Sequence, residues 1–474
     1  MQKENNKSAS KELIINTIIF GLGTFSSKII MFVLLPIYTT YMTTAELGEG
    51  ELVVNFMNLI YPIVTINILS ALLRYTMDKK MNLKKVLQST CFIVGIGLII
   101  CGIIFLIFNI QSSINNWKIY LWILLMCYSF QQILSVFSKA LDKTKIFAIG
   151  NIVYTFSLLV ISIVLLVILN RKTAGYLEGA ILANIITFIY FAWSLKIDRY
   201  ICKSKLDLKL TRKMVLFSLP LIVNSISWWI TSFCDRFVLE INTGTEAVGI
   251  YSVASKIPAI VSTISAVFMQ AWTLSAIKAY QKNDNNFFSV VLKKFSAIFV
   301  IWASIIIAMS KIIMSYLVGA GFSESWIYVP LLICATVFSG FGSFYAVIYT
   351  AAKKNYSVMI TTIIGAVTNI ILNFILIPKL GIQGAVIATM ISQLVITAFR
   401  MVDSRKFIKF DNDFIRITFS IVMIILESIL LIKGNSNWYP FIAVFCILII
   451  YIGEVRQMIN KAYQKIKGVI KNGK

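Results

Sequence analysis

VLQSTCFIVGIGLIICGIIFLIF, residues 86–108, runs for 23 positions without a charged side chain. As a helix rising about 1.5 Å per residue, that stretch exceeds the ~30 Å of hydrocarbon in a bilayer. Its two flanks differ in charge. Lys84 and Lys85 stand immediately before it, whereas the next cation after it is Lys118. One long apolar run with cations on one side reads as a membrane span with that side toward the cytoplasm.

The rest of the 474 residues repeat this pattern. Hydrophobic residues make up 58% of the chain and charged ones 14%, where a soluble domain carries about 25% charged. Too few polar groups remain to cover a water-facing surface. The apolar runs predict fourteen helices, near 14–41, 48–73, 86–108, 119–138, 147–169, 174–195, 214–241, 248–276, 295–317, 327–350, 356–377, 382–399, 417–432 and 438–453. Of the 44 Lys and Arg residues, 35 fall in alternate connecting segments, beginning with the N-terminus, and five in the intervening loops. That alternation requires an even span count and puts both termini in the cytoplasm. Residues 456–474 place Met458, Ile459, Ala462, Ile466 and Val469 between Lys461, Lys465, Lys467 and Lys471, the pattern of a basic amphipathic tail on the anionic cytoplasmic leaflet.

The same features exclude other classes. The net charge of +24 lies in short tracts between spans rather than on one face, which argues against a nucleic-acid binder. The chain has no histidine, and its seven cysteines show no metal-ligand spacing, so no metal site is expected. The first apolar run is longer than a signal-peptide core and lacks its cleavage pattern, so it reads as a span. No loop between spans on the outer side is long enough to hold a catalytic domain. A polysaccharide polymerase or ligase would be expected to have one, and the expectation is of a protein that is not an enzyme.

An internal repeat sets the domain organisation. TTAELGEGELVVNFMNLIYP (43–62) resembles TGTEAVGIYSVASKIPAI (243–260), with Gly48 matching Gly249 at an offset of 201. GYLEGAILANIITF (175–188) resembles GIQGAVIATMISQL (381–394), with Gly179 matching Gly384 at an offset of 205. The predicted fold is therefore an all-α polytopic membrane protein of about fourteen transmembrane helices. A six-helix lobe (1–205) is related to a second (206–402) by a pseudo-twofold axis along the membrane normal. Two further helices (403–455) and the tail follow. Parallel repeats of this kind are a transporter architecture.

Ionisable side chains at membrane depth are costly and mark cavities or partners. Lys28 lies about midway along the first span, too far from either end to snorkel, and is the leading candidate for a cavity-lining cation. Pro36 follows it as a kink site. Arg74 ends the second span as a topological anchor or as the first cation an incoming anion meets. In the seventh span, Arg236 and Glu240 can pair at i, i+4; alternatively Asp235 positions Lys256 of the eighth span while Arg236 faces the cavity. Trp228 and Trp229 lie near mid-depth, as core residues or as an aromatic wall against a sugar. Lys28 corresponds to Trp229 at the repeat offset, so the lobes differ chemically. Lys311 and Glu427 are expected to snorkel to the outer interface. Of Asn55, Asn58, Asn67, Asn151, Asn184, Asn224, Asn369 and Asn373, which also fall within spans, several are expected to bond between helices, and some are candidates to address sugar hydroxyls.

Several of these segments also resemble a known family. NTIIFGLGTFSSKIIMFVLLPIYTTYMTTAELG (16–48), LRYTMD (73–78), FSLPLIVNSISWWI (217–230), DRFVLEINTGTEAVGIYSVASKIP (235–258) and FMQAWTLSA (268–276) resemble the repeat-unit flippases of O-antigen and capsular polysaccharide assembly. These belong to the superfamily that also holds multidrug and lipid-linked oligosaccharide exporters. The resemblance implies a bacterial inner-membrane protein that moves undecaprenyl-pyrophosphate-linked oligosaccharide to the outer leaflet by alternating access around a cationic cavity. It implies Lys28, Arg74, Asp235, Arg236 and Lys256 as residues of the cavity and its gates. Lysine replaces the arginine common in related transporters at two of these positions, and lacks the planar fork for bidentate pyrophosphate contact. The implied partners are membrane lipids, a polysaccharide polymerase and a chain-length regulator, with no nucleic acid. No cofactor is expected beyond coupling to a proton or sodium gradient or to the membrane potential. The alternative within the superfamily is a cation-coupled multidrug exporter, which would need intramembrane carboxylates.

Overall fold

A computed structural model describes residues 32–78, 80–109, 112–200, 205–408, 413–434 and 438–457. Among them every regular element is helical and none is a strand. The helices are α1 (Phe32–Tyr41), α2 (Thr44–Val64), α3 (Ile68–Thr76), α4 (Leu83–Ile107), α5 (Lys118–Ala140), α6 (Thr144–Ser162), α7 (Lys172–Leu195), α8 (Leu208–Thr243) and α9 (Thr245–Ala254). They continue as α10 (Lys256–Gln281), α11 (Asn285–Leu317), α12 (Val329–Ala351), α13 (Asn355–Leu380), α14 (Ile382–Asp403), α15 (Phe414–Lys433) and α16 (Tyr439–Ile450).

Ten helical segments among the described residues are long and apolar enough to cross a bilayer, or eleven if α2 and α3 form one bent span. The expected fourteen is not reached. Of the first expected span only α1 lies within the described residues, and most of the tail lies beyond them. α16, with 12 residues, would extend only about 18 Å as a straight helix.

Two expected continuous spans are broken. The predicted helix 48–73 divides into α2 and α3, which meet at 59°. Pro62 lies in the last turn of α2, and Ile66 and Asn67 then adopt left-handed backbone at φ 50° and 47°. That conformation is an outlier for a β-branched residue. A Cβ on Gly97 of α4 would lie 1.9 Å from the Val64 carbonyl oxygen, so only glycine admits α4 this close to the break. The predicted helix 248–276 likewise divides, at Ser255, into α9 and α10. Apolar run length passes over both breaks, although Thr65 and Asn67 stand at the first and Ser255, Lys256 and Pro258 at the second, because interruptions this short do not end a run.

Helix starts follow local chemistry. Thr43 and Glu46 form a reciprocal capping box on α2, with Thr43 N donating to Glu46 Oε2 at 2.9 Å and Glu46 N to Thr43 Oγ1 at 3.3 Å. Asp207 caps α8 by accepting from Leu210 N at 3.1 Å and pairs with Lys85 at 3.2 Å. The backbone donor first, and then Lys85, hold its carboxyl below the usual carboxylate range.

The chain divides into two compact units, one of residues 1–252 with 318–322, the other of 253–317 with 323–474. In the first, α2 packs on α7 and α8, α3 on α4, α5 and α8, and α6 on α7. In the second, α12 is enclosed by α10, α11 and α14 and is buried on nearly every face, as an all-round apolar sequence requires. Its core is an aromatic stack. Trp272 lies parallel to Phe344 at 4.6 Å, and Phe295 stacks on Phe344 and Phe299 at 5.6 and 5.1 Å. Gly340 leaves room for the Phe299 ring, which would lie 2.2 Å from a Cβ there.

Both sets of repeat glycines lie at close approaches. Gly179 of α7 faces Ser162 and Leu158 of α6, and Gly384 of α14 faces Leu376 and Ile377 of α13. Each therefore seats its helix against the preceding one.

Trp272→Ala is expected to destabilise the protein by about 3–5 kcal/mol, the usual cost of emptying a large aromatic site. Thermal unfolding in detergent would measure it; an unchanged midpoint would remove the stack from the core.

Candidate functional site

The matched glycines of the repeat, Gly48 and Gly249, meet each other. A Cβ on Gly48 would lie 1.9 Å from the Thr245 oxygen and 2.9 Å from Gly249 N, and a Cβ on Gly249 would lie 2.0 Å from the Thr44 oxygen. Thr44 and Thr245 are themselves separated by the repeat offset. Residue 48 therefore touches 245 while 249 touches 44, the reciprocity that a local twofold axis produces. Absence of side chains lets the first turns of α2 and α9 close backbone to backbone. A second closure lies beside it: Gly319 N donates to Thr39 Oγ1 at 3.0 Å, and a Cβ on Gly319 would lie 2.3 Å from the Thr39 oxygen. This end of the first unit is shut.

The predicted site residues of α8 hold the closing helix. Asp235, 3% exposed, accepts from the Tyr251 hydroxyl at 2.8 Å. Arg236 donates through Nε to Ser252 Oγ at 3.2 Å, and its guanidinium lies 5.4 Å from the centre of the Tyr251 ring. The two α8 residues thus grip two successive residues of α9. Glu240 does not take the i, i+4 pairing with Arg236 that its spacing allows. It accepts instead from Ser112 Oγ and Ser113 N, both at 2.6 Å, and ties α8 to the segment before α5.

Beneath the glycine contact lies a carboxylate that the sequence reading passed over. Glu51 of α2 is 5% exposed and accepts from Tyr176 OH at 3.2 Å and from Asn55 Nδ2 at 3.3 Å. Gly50 makes room for the Tyr176 ring, 2.6 Å from where a Cβ would stand. Tyr38 packs edge-on to Tyr176 at 5.0 Å and shares a hydrogen bond with Ser162 at 3.3 Å. The signal was present as GEGE at 48–51, but a glutamate three residues past the predicted helix start at 48 reads as interfacial. Nearer the surface, Glu49 accepts from Trp117 Nε1 at 3.0 Å, Glu46 pairs with Lys172 at 2.7 Å, and Glu178 pairs with Arg171 at 2.7 Å.

The remaining expected residues fall on other elements or outside the described residues. Arg74 is exposed in the last turn of α3, beyond the broken segment. Lys256 opens α10, in the other compact unit. Lys28 lies outside the described residues, and so do the side chains of Trp228 and Trp229, whose backbone is part of α8. Lys311 is exposed, with Nζ 5.1 Å from the Trp326 ring centre. Glu427 does not snorkel: it is fully buried and accepts from Ser304 Oγ of α11 at 2.7 Å. Its Oε1 has no hydrogen-bond partner among the described residues. The amides divide between bonds within a helix and bonds between helices. Asn55 and Asn184 bond carbonyls four residues back in their own helices, and Asn369 reaches Thr389 across α13 and α14 at 3.5 Å.

A multi-pass helical membrane fold with a glycine-closed end and buried carboxylates beneath it defines the class. Residues 13–273 match the sequence family of polysaccharide biosynthesis proteins, and the chain belongs to that family. Its fold is similar to that of a lipid II flippase, MurJ, in an inward closed conformation, with a TM-score of 0.69 at 19% identity over 94% of this chain and 100% of that one. It is also similar to a multidrug resistance MATE family transporter of the MOP superfamily in an inward-facing conformation, with a TM-score of 0.64 at 13% identity over 81% and 94%. For an outward-facing MATE transporter the TM-score is 0.57 at 16% identity over 86% and 96%. No curated protein sequence is significantly similar to the chain.

Gly249→Leu is expected to prise α9 from α2. Hydrogen–deuterium exchange should then rise in both 44–50 and 245–252; unchanged protection in either segment would contradict the closure.

Proposed function

We propose that the protein is a flippase that carries undecaprenyl-pyrophosphate-linked oligosaccharide from the cytoplasmic to the outer leaflet of the bacterial inner membrane, for O-antigen, capsule or exopolysaccharide assembly. The observation that carries the reading is the reciprocal Gly48–Gly249 contact in a chain of the polysaccharide biosynthesis family. A sugar head group loses hydrogen bonds to water, each costing several kcal/mol, when it enters hydrocarbon, so it needs a polar path while its lipid tail stays in the bilayer. Alternating access supplies that path if one end of the protein opens as the other closes. With lobes at 1–205 and 206–402, the glycine contact joins the two lobes at the outer face, and the protein is poised to load from the cytoplasm. The likeness to the inward closed lipid II flippase supports this direction.

Lys28, Arg74, Arg236 and Lys256 are the cations proposed to meet the pyrophosphate, with Asp235 holding the outer gate. An inside-negative potential favours outward passage of the anion by about 2.3 kcal/mol per charge per 100 mV. Both termini are placed in the cytoplasm on the charge alternation, and a polymerase and chain-length regulator would take the product.

A second reading has a specific observation behind it. Glu51 and Asp235 are buried intramembrane carboxylates, the groups a cation-coupled drug exporter would require. In the flippase reading they serve coupling to a proton or sodium gradient and the tyrosine network.

Deleting the gene is expected to abolish surface polysaccharide and to leave lipid-linked repeat units facing the cytoplasm, scored by glycan staining and by protection of the lipid-linked sugar from an external glycosidase. Normal surface glycan in a strain with no second flippase would refute the proposal, and gained resistance to cationic dyes on expression would favour the exporter. Lys28→Ala should reduce export several-fold at unchanged membrane abundance; full export would remove Lys28 from the path.

A further inference from the structure

Between the last turns of α4 and the first turns of α5 lies an apolar groove of about 450 Å³, floored by Trp122 and walled by Ile99, Ile103, Leu106 and Ile119. The floor is built in. Trp122 donates through Nε1 to the Leu98 carbonyl at 2.9 Å, and its ring lies over Gly102, where a Cβ would come within 2.8 Å of Nε1. One cation, Lys118, lines the groove. Its Nζ donates to Asn109 Oδ1 at 3.2 Å, a neutral partner, and no carboxylate pairs with it among the described residues. The neighbouring acids are engaged elsewhere, Glu49 by Trp117 and Glu178 by Arg171 and Tyr120.

A second apolar groove of about 440 Å³ lies on the other side of the same half of α4, against Phe56, Ile60 and Ile63 of α2, and the two grooves share Phe105. Between them α4 stands bare, with Leu106 80% and Ile107 68% exposed. A protein surface of this chemistry is wetted by acyl chains rather than by water. On the charge alternation this end of α4 lies on the outer side, and the lone cation there favours a negative head group by direct Coulomb attraction.

We infer that this half of α4 is a binding site for an anionic diacyl phospholipid, one chain in each groove and the phosphate on Lys118. Two grooves of nearly equal size flanking one helix suit a lipid with two chains joined at one head, and a single-chain polyprenyl lipid would leave one groove unfilled. The site does not depend on what the protein transports.

The test uses the full-length protein in nanodiscs containing a photoactivatable phosphatidylglycerol, with phosphatidylcholine carrying the same chains as the control, and mass spectrometric mapping of the adducts. Phosphatidylglycerol adducts are expected on 99–106 and 118–122 and on the facing residues of α2. Lys118→Gln should lower them about fivefold, the effect of one cation beside an anionic lipid, with phosphatidylcholine labelling unchanged. Filling the groove with Ile103→Trp should lower both. Equal labelling by the two lipids, indifference to Lys118→Gln, or displacement of the adducts by an added polyprenyl phosphate would overturn the inference.

Discussion

Two helix starts that touch through glycine set the state of the first compact unit. Because neither Gly48 nor Gly249 carries a Cβ, α2 and α9 approach to a distance no other residue pair would allow. The neighbouring groups fall into place around that approach. Asp235 and Arg236 grip α9 through Tyr251 and Ser252, Glu240 anchors α8 to Ser112 and Ser113, and Gly319 closes on Thr39. These ties are hydrogen bonds and one cation–π contact between neutral or singly charged partners.

The second constraint is the hydrocarbon itself, where a polar group without a partner costs several kcal/mol. The chain meets it mostly with hydroxyls. Glu51, Asp235 and Glu427 each accept from a tyrosine or serine on another helix, and many serines and threonines return their proton to a carbonyl three or four residues back. Arg400, buried at the end of α14, follows the same logic with the opposite charge. It donates to Thr361, Thr362, Val358 and the Gly342 carbonyl, and so binds α12, α13 and α14 together with no acid involved. The broken segment between α2 and α3 is tolerated because Thr65, Ile66 and Asn67 still donate their backbone N–H groups to Tyr61, Ile63 and Pro62.

Much of this was legible in the sequence. Apolar run lengths locate most of the described helices, and the Gly48–Gly249 match identifies two positions that turn out to be in contact. What stayed hidden has physical causes. The α2–α3 break hides because Val64, Ile66 and Ile68 keep the run apolar around Thr65 and Asn67, and the α9–α10 break because Ser255 and Lys256 are too short an interruption to end a run. Glu51 and Glu427 sit close enough to helix ends to read as interfacial, and only packing reveals that Tyr176 and Ser304 enclose them. Several amides were expected to join helices, but Asn55 and Asn184 find an acceptor one turn back, which sequence spacing permits at every helical position. Among the proposed site residues, Asp235 and Arg236 come together on α9, whereas Arg74 stands apart at the end of α3.

The central claim is that the α2–α9 contact opens and closes during transport. Cysteines introduced as Thr44→Cys and Thr245→Cys, in a chain whose native cysteines are replaced by serine, put thiols on the two contacting helix starts, where a short reducible bis-thiosulfonate can join them. Flipping of a lipid-linked oligosaccharide in proteoliposomes is the measurement. Cross-linking is expected to arrest flipping and reduction to restore it; undiminished flipping by the fully cross-linked protein would contradict opening at this contact.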